Sequence, residues 1–181
     1  MGSAKKFSLR VKTPGLGHNA YLLGCGEGLA VVVDPRRDIE EYLCLAREND
    51  LSIAYVIEMH RQEDFEFGSR ALADATGAKI VGGCHPLFGD IHVRLQDGQE
   101  FKVGKTRFVA LATPGHTPES MSYAVYAEDS GETCWGVFTG DALFVGDTGA
   151  WTCRTPTGPA RTPASCTTPS TRRSARWATR R

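Results

Sequence analysis

Three short segments each end a run of β-branched and aromatic residues: His60-Arg61-Gln62-Glu63-Asp64-Phe65, Thr113-Pro114-Gly115-His116-Thr117 and Phe138-Thr139-Gly140-Asp141. They constrain the fold more than any other feature. Each places a side chain able to ligate a metal where a strand stops, so a fold that uses them must gather three distant strand ends. His60, His116 and Asp141 then offer two imidazoles and one carboxylate. That donor set suits non-haem Fe(II) with open coordination positions. With zinc, the same three donors plus a water would make a hydrolytic site.

The chain between these segments alternates short strands with few helices. Strands are predicted at 19–24, 29–34, 52–57, 79–82, 91–95, 99–103, 106–112, 120–126 and 133–139. Asp38 is the expected N-cap of a helix carrying Ile39, Tyr42, Leu43 and Ala46 at helical spacing, and Gly77 the stop of a second helix with Leu72 and Ala75 on one face. Two packed sheets with helices on their outer faces, an αββα arrangement in the α/β (α+β) class, satisfy this order.

At 181 residues the chain can build one core, with 41% hydrophobic and 23% charged residues. No apolar run has the length of a membrane span and the start lacks a signal-peptide stretch, so a cytoplasmic location is expected. Six cysteines without a CxxC pair read as reduced, buried thiols. His18, His85 and His92 read as ordinary residues, and Glu58 and Glu119 as hydrogen-bonding scaffold groups. The Gly24 to Gly28 stretch reads as a hairpin turn, without a phosphate-binding fingerprint.

Four motifs, Val-Val-Val-Asp34-Pro, Tyr-Val-Ile-Glu58-Met-His60, Thr-Pro-Gly-His116-Thr-Pro-Glu-Ser and Phe-Thr-Gly-Asp141-Ala-Leu-Phe-Val-Gly, resemble the metallo-β-lactamase superfamily over roughly the first 149 positions. Within it the residues resemble the persulfide dioxygenases more than glyoxalase II. The resemblance implies an αββα sandwich, incomplete at its C-terminal end. The superfamily's His-x-His-x-Asp-His motif reads here with Gln62 and Phe65 in place of its second and last His. Neither replaces the lost imidazole, and a phenyl ring cannot ligate, so a second metal is not expected. By resemblance, His60, His116 and Asp141 would hold one iron, and Asp64 would support catalysis by orienting a His ligand or a water. The implied reaction is oxidation of a glutathione-type persulfide. The alternatives are a glyoxalase II-like thioester hydrolase, with Zn(II), and a catalytically impaired relic of the same fold. A small thiol-derived substrate is the implied partner, with no specific nucleic acid and no membrane.

Residues 150–181 differ in composition. Seven of the 21 basic residues lie in 151–181, which contain no acid, leaving 14 bases against 21 acids in 1–150. This Arg/Thr/Pro-rich tail has no Leu, Ile, Val, Met, Phe or Tyr and cannot form a core. It is expected to be disordered. The resemblance implies Gly-Arg-x-Asp-Leu where this chain has Gly149-Ala150-Trp151-Thr152-Cys153. Trp has one codon, TGG, so joining its last base to the first two of the Thr152 codon forces GAC, aspartate. The shifted frame permits Gly-Arg-Val-Asp-Leu, so a one-base deletion near codon 150 is expected. Loss of the family's continuation would expose apolar sheet surface in residues 100–145 and favour association of copies.

Overall fold

The computed structural model describes residues 8–61, 66–128, 131–144 and 147–148. A six-stranded sheet carries β1 (Ser8–Lys12), β2 (Asn19–Gly24), β3 (Leu29–Val33), β4 (Ser52–Ile57), β5 (Lys79–Gly83) and β6 (Val93–Leu95) in sequence order. β1, β2 and β3 run antiparallel, and β3 to β6 are parallel. A second, antiparallel sheet has the order β10 (Gly136–Phe138), β9 (Met121–Ala127), β8 (Thr106–Ala112), β7 (Glu100–Val103). A two-stranded hairpin follows, β11 (Leu143–Phe144) with β12 (Asp147–Thr148).

The central strand β3 shows why the sheets stack. Its side chains alternate faces: Val31 and Val33 enter the core between the sheets, while Ala30 and Val32 enter a second core under the helices. Burial on both faces makes β3 a continuous apolar run rather than an alternating one. The second sheet contributes Phe108, Ala110, Tyr123 and Val125 to the inter-sheet core, and Phe101 stacks on Phe108 with ring centroids 4.9 Å apart. Burying each such side chain contributes roughly 1.5–3 kcal/mol.

Helices α1 (Glu40–Glu48) and α2 (Ser69–Thr76) pack through Tyr42, Ala46 and Leu72 on the other face of the first sheet. Among the described residues the layers are therefore helix, sheet, sheet. Two local expectations are corrected. Asp38 is not the cap of α1: Ile39 occupies that position without a side-chain bond, and the chain entry is fixed instead by Arg36 N–H donating to Tyr42 Oη at 3.1 Å. On α2, Ala75 is exposed and the buried face is Ser69, Leu72 and Ala73. Gly77 ends α2 as expected, with the left-handed φ of +75° that glycine adopts without a Cβ clash. The β1 strand has no counterpart in the sequence reading. The Arg/Thr/Pro-rich tail, residues 150–181, lies outside the described residues.

Candidate metal centre

The three expected ligands arrive from the strand ends and converge. His60 follows β4 of the first sheet, His116 sits in the loop between β8 and β9 of the second, and Asp141 follows β10. His60 Nε2 and His116 Nε2 each lie 3.4 Å from Asp141 Oδ2. One donor atom per residue can be chosen so that all three lie within 4.8 Å of one another. The imidazoles meet edge to face, with ring centroids 5.2 Å apart. Asp64, together with Gln62 and Phe65, lies outside the described residues.

Each of these side chains is held by its local chain. In the His116 loop, Thr113 N–H donates to Ser120 O at 2.9 Å, and the hydroxyls of Thr117 and Ser120 are 2.7 Å apart. Asp141 sits in a 3₁₀ turn tied off by Thr139 Oγ1 donating to Leu143 O at 2.8 Å. Gly140, at φ +51°, lets the backbone settle against the Met59 side chain and the His60 ring, in a conformation costly for other residues.

His60 is clamped from both sheets. Asp34, at the end of β3, accepts Met59 N–H at 2.8 Å on one side of it; Glu119, just before β9, accepts Arg61 N–H at 2.9 Å on the other. Both carboxylates are buried, with exposures of 2% and 3%. Asp34 has a left-handed φ of +46°, a conformation Asp tolerates better than most side chains. That turn sets its carboxylate back under the peptide that follows β4. The role of Glu119 is the scaffold role its sequence context implies. Met121 N–H donates to Met59 O at 2.8 Å, joining the sheets directly behind the centre.

The electrostatics prepare the centre for a cation. Burial works to lower the His60 pKa, but the carboxylates of Asp141, Asp34 and Glu119 outweigh it and raise the value above the ordinary 6.5. Asp141 is held below the usual carboxylate value by His60 foremost, against burial, with His116 adding to the effect. Asp34 is pushed up to about 7 by burial. His60 Nε2 is itself buried and has no hydrogen-bond partner among the described residues, its approach to Asp141 lying outside hydrogen-bond alignment. A buried, unsatisfied nitrogen facing a carboxylate fits a divalent ion. All three donor atoms lie within 4.8 Å of one another, close enough for one cation to be held between them.

Of the histidines read as ordinary, His85 accepts Leu87 N–H and His92 accepts Ile80 N–H through their Nδ1 atoms. His18 departs from that reading: it lines a cleft of about 490 Å³ that Asp141 also lines. Burial lowers the His18 pKa. Arg10 and Tyr21 line the same cleft, and neither carried a motif in the sequence. Their placement depends on β1 and β2 facing the turn at Asp141, which no local pattern specifies. Among the described residues no helix is long and apolar enough to cross a membrane.

No family model matches the chain. A hydroxyacylglutathione hydrolase of Polaromonas sp. is 35% identical over 129 residues, 68% of this chain and 46% of that protein. Among solved structures, a metallo-beta-lactamase from Staphylococcus aureus superimposes with a TM-score of 0.75 at 34% identity, covering 82% of this chain and 47% of that one. ETHE1 from Myxococcus xanthus gives a TM-score of 0.70 at 32% identity, covering 79% and 60%. The chain spans about half the length of the curated relatives it matches. Sheet order, the strand-end donors and these similarities agree, and the chain belongs to the metallo-β-lactamase superfamily.

Proposed function

We propose that His60, His116 and Asp141 hold one divalent cation and that the chain hydrolyses a thioester of glutathione. The convergence of these three donors, in a chain whose curated relatives are named hydroxyacylglutathione hydrolases, carries this reading. Two imidazoles and one carboxylate would suit Zn(II) with a water completing the set. A bound divalent ion supplies Lewis acidity and activates water near neutral pH. The protein's own contribution is positioning. The clamp on both sides of His60 fixes one imidazole, the Thr113–Ser120 loop fixes the other, and Asp141 borders the cleft where the acyl thiol would lie. Asp64 is assigned the task of orienting the water or a His ligand.

The residue-level preference for persulfide oxidation becomes the second reading. Gln62 and Phe65 stand where the superfamily places further ligands, which favours a single-ion centre with an open face, and ETHE1 of M. xanthus is among the similar structures. Metal analysis of anaerobically purified protein, combined with two assays, separates the readings. About one zinc per chain with cleavage of S-lactoylglutathione supports hydrolysis; about one iron with oxygen uptake on glutathione persulfide supports oxidation. Protein that binds neither metal would be the impaired relic.

A further inference from the structure

The cleft beside Asp141 has a second chemical pole. Its volume of about 490 Å³ lies within the range of small-molecule sites. Asp141, held ionised by His60 foremost, brings negative charge to one side. Arg10 brings the sole permanent positive charge among the described residues that line it. It projects from the edge strand β1, opposite Tyr21 in register. Arg10 forms no ion pair among the described residues, as is also true of Arg47, Arg61 and Arg94, and it is the one of these four that lines the cleft. Tyr21 and Phe138, with ring centroids 5.2 Å apart, give the same cleft an aromatic wall. A ligand complementary to this arrangement carries an electron-rich group for the metal pole, an apolar stretch and an anion.

We propose that Arg10 anchors a carboxylate of the substrate while its sulfur-bearing group lies at the metal pole. A guanidinium binds a carboxylate through two parallel hydrogen bonds, so the anchor would set orientation as well as affinity. This rests on the glutathione reading above, since glutathione carries its sulfur between two carboxylate-bearing ends. Arg10 then selects anionic thiol peptides over neutral thioesters of similar size.

S-Methylglutathione tests the subsite, because its sulfur is capped and metal coordination contributes little to its binding. Titration calorimetry would compare the full chain with R10A, R10Q and R10K. Loss of a charge-assisted contact weakens binding by about 10- to 100-fold in R10A and R10Q, with R10K in between. Metal content and melting temperature stay at wild-type values, because Arg10 is exposed. Rising salt weakens wild-type binding more steeply than R10A binding. R10A that binds as tightly as wild type overturns the anchor, as does a wild-type chain that cleaves S-lactoylglutathione without measurable S-methylglutathione binding. Arg10-dependent binding without thioester cleavage or oxygen uptake would support the anchor and sink the reaction instead.

Discussion

Glu119→Ala removes half of the clamp on His60. Arg61 N–H, 2.9 Å from Glu119 Oε1, would lose its acceptor. A hydrogen bond to a charged group is worth about 1.5–3 kcal/mol. Relief of the cost of burying the carboxylate, which is 3% exposed, offsets part of that loss. A net destabilisation of about 1–2 kcal/mol follows, measured by urea unfolding of chelator-treated protein. The larger effect falls on the metal. Loosening a ligand's support typically costs about 10- to 100-fold in affinity, read by competition with a chromophoric chelator. Glu119→Gln separates the clamp from the charge. It keeps an acceptor for Arg61 N–H but removes the negative charge near His60, so its metal affinity should stay within a few-fold of wild type. If Gln weakens binding as much as Ala, charge and not the clamp is responsible. If Ala binds as tightly as wild type, the clamp has no role.

Four further outcomes are expected. Alanine at His60, His116 or Asp141 should each abolish stoichiometric metal binding, measured by elemental analysis after desalting; retention by any one removes that residue from the ligand set. Gly140→Ala, forced to keep φ +51° with its Cβ 3.4 Å from Met59 Cβ, should destabilise the fold by about 1 kcal/mol and weaken metal binding in the same direction. Protons compete with the metal at His60, whose raised pKa makes affinity fall as pH drops from 8 through 6. In chelator-treated protein the signs separate. The His60 contribution is complete below 6.5 and fades as pH rises through its raised value, while that of Asp141 is present above 3.8 and fades as pH falls through its lowered one. The gap in melting temperature between loaded and stripped protein should therefore widen from pH 6 to 8. Sequencing genomic DNA across codon 150 should reveal the one-base shift; an intact frame together with tryptic peptides of residues 151–181 would refute it.

The convergence of His60, His116 and Asp141 was legible because each lies just past a strand-forming run, so position along the chain implied position in space. β3 was legible for a related reason: Leu29-Ala30-Val31-Val32-Val33 has no polar position to expose. Features settled by packing rather than pattern were not. β1 is an edge strand whose burial alternates weakly, with Val11 its one buried residue. Asp38 has the chemistry of a cap, but the bond from Arg36 to Tyr42 fixes the start of α1 instead. Arg10 and His18 came to line one cleft with Asp141 only through the apposition of sheet edges. The reaction was less legible still. The three donors suit iron or zinc, and the curated relatives, rather than the donors, shift the balance from persulfide oxidation to thioester hydrolysis.

The centre straddles the seam of the sandwich, taking one donor from the first sheet and two from the second. A cation seated there would act as a rivet between the two layers. Its binding energy would add to sheet adhesion in proportion to the logarithm of free metal over the dissociation constant. Cellular metal supply would then govern how long the folded chain survives. A starved cell would lose the protein by unfolding and proteolysis, not merely hold it idle.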